Sequence, residues 1–335
     1  MRQLRVSVVG AGGLGQLHMR SLRSIPGARL VRVHDRSLAP EAKALAVELG
    51  ADECDLHGAL DPGAVDAVVV ATPTDTHAPV VLAALDAGLS VFCEKPLART
   101  AAEAGELARR AAARGSKVAV GHVVRYFPEY AAARQAHLDG ILGPVAAARL
   151  ARLNAPPASH HRWYADFTRS GGALLDMAIH DIDWCLWAFG PVARVHAKRA
   201  GSGGGEVVAI TLRHASDVIS YIDASWRNES FSTSLELVGS EGLLRTSGSA
   251  GAGFVLALRD GDVAGYMPEA AEELDDPFRL ELAAALEWFR GGRPPRATVE
   301  DGYAALLTVE AAERSITLGR PVVSESVPTA YAAAR

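Results

Sequence analysis

The sequence predicts an α/β chain: an N-terminal doubly wound parallel sheet, then an α+β domain built on a large, open, mainly antiparallel sheet. Three observations carry this reading. From Leu4 to Gly121, Val-rich apolar runs alternate with segments of helical period. Such continuous runs suit strands covered on both faces, as a parallel sheet requires. A glycine-rich turn, "VVGAGGLG", closes the first run and opens the first helical segment. Beyond residue 191 the strand-like runs follow one another on short turns, which favours antiparallel pairing.

In order, "LRVSVV" precedes a helix near 13–24, "RLVRVH" one near 39–49, and "AVDAVVVA" one near 76–87. "LSVFC" then leads to a helix near 100–114, and "KVAVG" ends the alternation. The domain boundary is placed there, giving residues 1–121 and 122–335. The second part opens with a helix near 128–139 and an apolar helix containing "GGALLDMAIHDID" (171–183). Strands are expected at 191–199, 206–213, 217–225, 232–239 and 253–259, separated by "GSGGG", "HAS", "RNES" and "GSAGAG". Helices near 277–290 and 300–318 follow.

The totals bound the function. The 335 residues are 49% hydrophobic and 22% charged, with a net charge of −5 and an isoelectric point near 6.1. No basic cluster exceeds a few residues, so neither nucleic acid nor an anionic membrane is the expected partner. The three cysteines, Cys54, Cys93 and Cys185, are widely spaced and form no CxxC. That argues against a disulfide framework and for a reducing cytoplasm. The N-terminus lacks the apolar core of a signal peptide, and no apolar run reaches the ~18–20 residues of a membrane span.

Gly10, Gly12 and Gly15 have GxGxxG spacing, with Gly13 and Leu14 inside the loop. The first glycine suits a tight turn, the second a close approach to pyrophosphate, and the third helix–strand packing; this is the Rossmann dinucleotide pattern. The helix N-terminus behind it offers free N–H groups and a positive dipole end. Asp35 stands about 20 residues on, where an acid takes the ribose hydroxyls and favours NAD. Arg36 beside it leaves NADP open. "ATPTDTH" (71–77) falls at the end of the fourth strand, near the switch point where ligands collect. Thr72, Pro73, Thr74 and His77 are therefore cofactor candidates, although Thr74 or Thr76 also suits a helix N-cap. "FCEKPLA" (92–98) ends the next strand with Glu94 and Lys95. They read either as a solvent-facing ion pair or as groups beside a nicotinamide, with Lys95 polarising a substrate oxygen.

On a helix, Asp176 and His180 share a face, Asp183 joins their stripe and Asp181 points elsewhere. Charge in so apolar a segment is unfavourable unless paired, so catalysis, metal binding and core pairing all compete for it. A metal is not expected, because no fourth ligand stands at a recognisable spacing. Arg125, and Arg162, Trp163 and Tyr164 after the loop "NAPPASHH", are candidates for lining a sugar pocket or for a surface loop. His18 is expected to pack within the first helix.

Together, "GAGGLGQLH", "ATPTDTH", "EKPL" and "GGALLDMAIHDID" resemble the Gfo/Idh/MocA oxidoreductases, the group of glucose–fructose oxidoreductase and inositol 2-dehydrogenase. "VEDGYAALLTVEAAERSITLGRPV" near the C-terminus is similar too, so the resemblance spans nearly the whole chain. It implies a Rossmann domain, and a second domain whose open sheet builds a homodimer or homotetramer. It also implies hydride transfer between NAD(P) and a hydroxyl-bearing or carbonyl carbon of a sugar, inositol or nucleotide sugar. The family's catalytic set falls on Lys95, Asp176 and His180. Two alternatives of the same fold are a redox-neutral, NAD-dependent glycoside hydrolase and a non-catalytic NAD(P) or sugar sensor.

Overall fold

A computed structural model describes residues 3–156, 162–201, 205–246, 254–258, 263–266 and 276–325. The chain divides into two compact units: Met1–Val123 with Asp275–Tyr303, and Val124–Leu274 with Ala304–Val327. In the first unit, β1 (Leu4–Val9), α1 (Gly13–Leu22), β2 (Ala28–His34), α2 (Pro40–Glu48), β3 (Asp52–Glu53) and α3 (Leu56–Ala59) are followed by β4 (Ala67–Val70). Next come α4 (His77–Asp86), β5 (Ser90–Glu94), α5 (Ala101–Arg114) and β6 (Val118–Gly121). The strands form one sheet in the order β3-β2-β1-β4-β5-β6, and every pairing is parallel. All four residues of β4 are fully buried, which is why that strand is unbroken Ala-Val-Val-Val. The chain leaves β1 for β2 on one side and returns to β4 on the other. The switch point therefore lies between the carboxyl ends of β1 and β4.

The second unit contains α6 (Pro128–Leu138), β7 (Val145–Leu153), α7 (Arg162–Ala165) and α8 (Phe167–Ser170). A π-helical turn (Leu174–Ala178) then runs into α9 (Ile179–Phe189). Its remaining strands are β8 (Val192–Ala200), β9 (Val207–His214), β10 (Ile219–Ser225), β11 (Ser232–Gly239), β12 (Gly242–Thr246), β13 (Phe254–Leu258) and β14 (Val263–Tyr266). After α10 (Pro277–Phe289) and α11 (Val299–Leu318), β15 (Val322–Val323) completes a nine-stranded sheet. Its order is β14-β13-β12-β11-β7-β10-β9-β8-β15, and β7 with β10 is its one parallel pair among the described residues.

The central strand β7 is not evident from the sequence. "VAAARLARL" is made of helix formers. It is a strand because β10 and β11 pair with its two edges from Val145 to Leu153, and tertiary pairing overrides local preference. The short β3, β12 and β14 are likewise additions to the expected strands.

Residues 275–303 return to the first unit. The reason is α10, whose Leu282, Ala285 and Leu286 complete the core formed by Val6, Val8, Met19, Leu22 and Val33. Burying a leucine this completely is worth about 1.5–3 kcal/mol. Lys117 Nζ donates to the Trp288 carbonyl at 2.6 Å, tying the end of the helix to the sheet.

Candidate active site

The glycines of the phosphate loop divide by cause. At Gly10 (φ +92°), a Cβ would lie 2.6 Å from the Ala71 carbonyl carbon, because the loops after β1 and β4 touch there. At Gly15 a Cβ would meet the Gly10 oxygen at 1.9 Å. At Gly12 and Gly13, by contrast, a Cβ would have nothing within 4 Å. The protein's own packing does not demand glycine there; a ligand approaching the backbone would. Gly12 is also the N-cap of α1 and contributes no side-chain cap, so the first N–H groups of that helix are available to an anion. Leu14 sits partly exposed beside them.

Asp35, at the end of β2, accepts from the Ala11 N–H (2.8 Å) and the Ser37 N–H (2.9 Å). It thus shapes the phosphate loop as well as placing a negative charge where a ribose acid is expected. Arg36 is exposed. In the second loop, Thr72 Oγ1 is buried and has no hydrogen-bond partner among the described residues. Thr74 is buried, and Thr76 donates its hydroxyl to the Pro73 carbonyl (2.7 Å) instead of capping α4. The open loop glycines, the uncapped helix start and the orphaned Thr72 hydroxyl fit a dinucleotide.

Two residues expected at the cofactor are turned inward. His77 is 1% exposed, with Nδ1 at 2.7 Å from the Pro96 carbonyl and Nε2 at 2.8 Å from that of Thr72. It braces the second loop against the Lys95–Pro96 segment. Burial holds its pKa below the ordinary imidazole value despite the two carbonyls, so the neutral ring donates to one of them at a time. Glu94 is not solvent-facing: it is 4% exposed, with Oε1 at 2.7 Å from His18 Nε2. Its Oε2 accepts from the Lys95 N–H at 3.1 Å. Burial pushes the carboxyl up, but the bond and charge of His18, then Lys95 and His77, bring it below the usual range. His18 packs as expected, and its edge meets Phe92 at 5.1 Å. Its pairing with the EKP glutamate is the part that the sequence did not signal.

In the second unit, every residue from Gly171 to Cys185 is buried except two, Asp176 and His180, which are half-buried. The expected plain helix begins instead with the π turn that holds Asp176, a feature frequent at functional sites. The other acids are spent on structure. Asp181 accepts from Arg152 of β7 at 2.9 and 3.0 Å, and Asp183 accepts from Arg125 at 2.7 and 2.8 Å. Both pairs are forked and almost fully buried. Arg125 is 2% exposed and holds α9, so it is not the surface-loop residue that one of the two expectations made it. Trp184 adds a bond from its indole to the Tyr130 carbonyl (3.0 Å).

Gly171 and Gly172 enter this helix in the left-handed region, φ +72° and +68°. A Cβ at Gly172 would lie 2.4 Å from Glu206 Oε2, the oxygen that accepts from the Ala173 N–H at 3.0 Å. These glycines serve the helix entry, and buried Glu206 completes it. Trp163 and Tyr164 are half-buried and stack at 3.9 Å, with Tyr164 edge-on to Trp226. Arg162 begins α7. The "SHH" stretch lies outside the described residues.

Comparison with known proteins agrees with this layout. Residues 4–122 match the model of an oxidoreductase family with an NAD-binding Rossmann fold, and residues 130–245 match the GFO/IDH/MocA C-terminal domain. The chain is 31% identical to inositol 2-dehydrogenase of Acidothermus cellulolyticus, over 98% of each chain. It is 29% identical to scyllo-inositol 2-dehydrogenase (NAD(+)) of Bacillus subtilis, over 96% of each. The crystal structure of GenD2 from gentamicin A biosynthesis in complex with NAD superposes with a TM-score of 0.82 at 28% identity, covering 97% of both chains. With two domain models matched in order along most of its length, this chain belongs to the Gfo/Idh/MocA family of NAD-binding oxidoreductases.

Proposed function

We propose that this oxidoreductase is an NAD-dependent dehydrogenase of inositol or a related cyclic polyol or sugar, with Lys95, Asp176 and His180 as its catalytic set. The observation that carries the second half of this reading is the pair of half-buried polar residues, Asp176 and His180, in an otherwise sealed segment. The relatives' names, inositol 2-dehydrogenase and scyllo-inositol 2-dehydrogenase, supply the substrate class. They do not favour the hydrolase or sensor alternatives.

Bound NAD supplies the hydride acceptor. Gly12, Gly13 and the start of α1 would hold its phosphates and Asp35 its ribose hydroxyls, with Thr72, Pro73 and Thr74 lining it from the loop after β4. His180 accepts the proton of the reacting hydroxyl; an imidazole titrates near neutral pH, where proton transfer is most effective. The Lys95 ammonium stabilises the negative charge that develops on that oxygen. Asp176 orients the hydroxyl or the ammonium, and reduction runs the same groups in reverse. The acid at Asp35 supports NAD over NADP. Alternate residues of β10, such as Tyr221, face solvent and support assembly of two or four copies through this sheet. Three free cysteines, two of them buried, support a reducing cytoplasm. Among the described residues, no helix is long and apolar enough to cross a membrane.

The test is NAD reduction with myo-inositol and scyllo-inositol by the wild type and by Lys95→Ala and His180→Ala. Each variant should lose about 10²–10⁴-fold in turnover and keep its NADH affinity. Near-normal turnover in either one overturns the assignment.

A further inference from the structure

Glu281 is a glutamate in the core. It lies on the apolar face of α10 between Phe278 and Leu282, is 2% exposed, and neither carboxyl oxygen has a hydrogen-bond partner among the described residues. One side-chain nitrogen or oxygen from each of Glu281, Glu94 and His18 lies within 4.8 Å of the others. Three elements meet there: α10, the carboxyl end of β5, and α1. His18 is fully buried, and its Nδ1 is also without a partner.

The charges of this cluster decide what Glu281 is. Glu94 and His18 are held together by a buried bond of 2.7 Å between Oε1 and Nε2. A second carboxylate in the same dry space would set two negative charges within 4.8 Å of each other, a state disfavoured unless a further cation joins them. A neutral carboxylic acid avoids this, and it carries a proton to donate.

We propose that Glu281 is a positioning residue for hydride transfer: it keeps its proton at neutral pH and so packs as a neutral acid against the Glu94–His18 pair. In this way α10 locks the end of β5 that carries Lys95. The inference rests on the reading of Lys95 as catalytic, because Glu94 is bonded to the backbone N–H of Lys95. The groups around the site agree with it. Burial, then the charges of Glu94 and Asp276, push the Glu281 carboxyl well above the carboxylate range. Lys95, His77 and His18 act on Glu94 in the opposite sense.

Two substitutions separate the neutral polar group from its bulk. Glu281→Gln keeps a neutral donor of the same shape, whereas Glu281→Leu keeps only the bulk. Infrared difference spectra between the wild type and Glu281→Gln at mildly alkaline pH should show the carbonyl band of a protonated carboxylic acid in the wild type alone. Absence of that band overturns the proposal, as does one tightly bound divalent metal ion per wild-type chain that is lost in Glu281→Gln. Turnover should stay within about threefold in Glu281→Gln and fall roughly ten- to a hundredfold in Glu281→Leu, the scale of a displaced catalytic group. Equal turnover in the two variants overturns the positioning role.

Stability against pH gives a check that holds even where Glu281→Leu does not fold. An acid whose pKa is raised by folding stabilises most below its unfolded value and loses that contribution as pH rises toward the folded one. Melting temperature should therefore fall, relative to Glu281→Gln, as pH climbs above the ordinary carboxyl range; parallel curves overturn the proposal. The infrared and melting measurements need no substrate. If Lys95→Ala keeps its turnover while the acid band is present, the catalytic reading fails and the buried proton stands.

Discussion

The phosphate loop and the helix that carries Asp176 and His180 are held in opposite ways. The loop is shaped by what is missing: Gly10 and Gly15 let three backbone segments touch, and Gly12 and Gly13 leave room beyond them. The helix is shaped by what is present: two buried arginine–carboxylate forks, an indole bond and Glu206 at its start. Steric absence is a local property of the chain. A buried ion pair needs a partner from a distant segment, as Arg152 and Asp181 do across 29 residues. The first can be read along a sequence, and the second cannot.

Substitutions sharpen this contrast. The largest effect should come from Arg152→Ala, which leaves Asp181 charged and unpaired in the core; we expect a loss of about 3–5 kcal/mol in chemical denaturation. A loss below 1 kcal/mol would show that the fork does not hold the helix. Gly15→Ala comes next. Its Cβ would drive into the Gly10 carbonyl, and overpacking of this kind costs about 1–3 kcal/mol. A melting curve matching the wild type would contradict the contact. The smallest effect on stability belongs to Gly12→Ala, whose added methyl meets only space. Stability should change by at most about 1 kcal/mol, the scale of an altered N-cap. NADH titration should nevertheless show binding weakened about tenfold or more, since the methyl occupies the approach to the phosphates. Unchanged affinity would place the cofactor elsewhere.

Much of the first unit is legible in advance. The Val-rich runs become β1, β2, β4, β5 and β6 because both faces of a parallel sheet are dry, and α5 starts at Thr100, where Thr100 and Glu103 cap each other. The second unit is less so. β7 is spelled in alanine, arginine and leucine, and only its neighbours on both edges make it a strand. In the site itself, motif spacing singles out Gly10, Asp35 and Lys95, but it does not foresee the internal partners of His77, Glu94 and Arg125. Each of the three is a polar side chain near a motif that meets a partner from a distant segment. Glu281 carried one signal, an acid on the apolar face of an amphipathic segment. Its neighbours, Glu94 and His18, lie too far away in sequence to be suspected.

The doubly wound sheet, the dinucleotide loop and the family can all be read from the chain alone, because hydrophobic period and glycine spacing are written along it. Which polar groups are spent on the core emerges only in the fold: His18 with Glu94, Arg125 with Asp183, Arg152 with Asp181, and the buried acid Glu281. A charge is tolerated in a dry interior only when an opposite charge, or its own proton, meets it there, and only the fold brings such partners together.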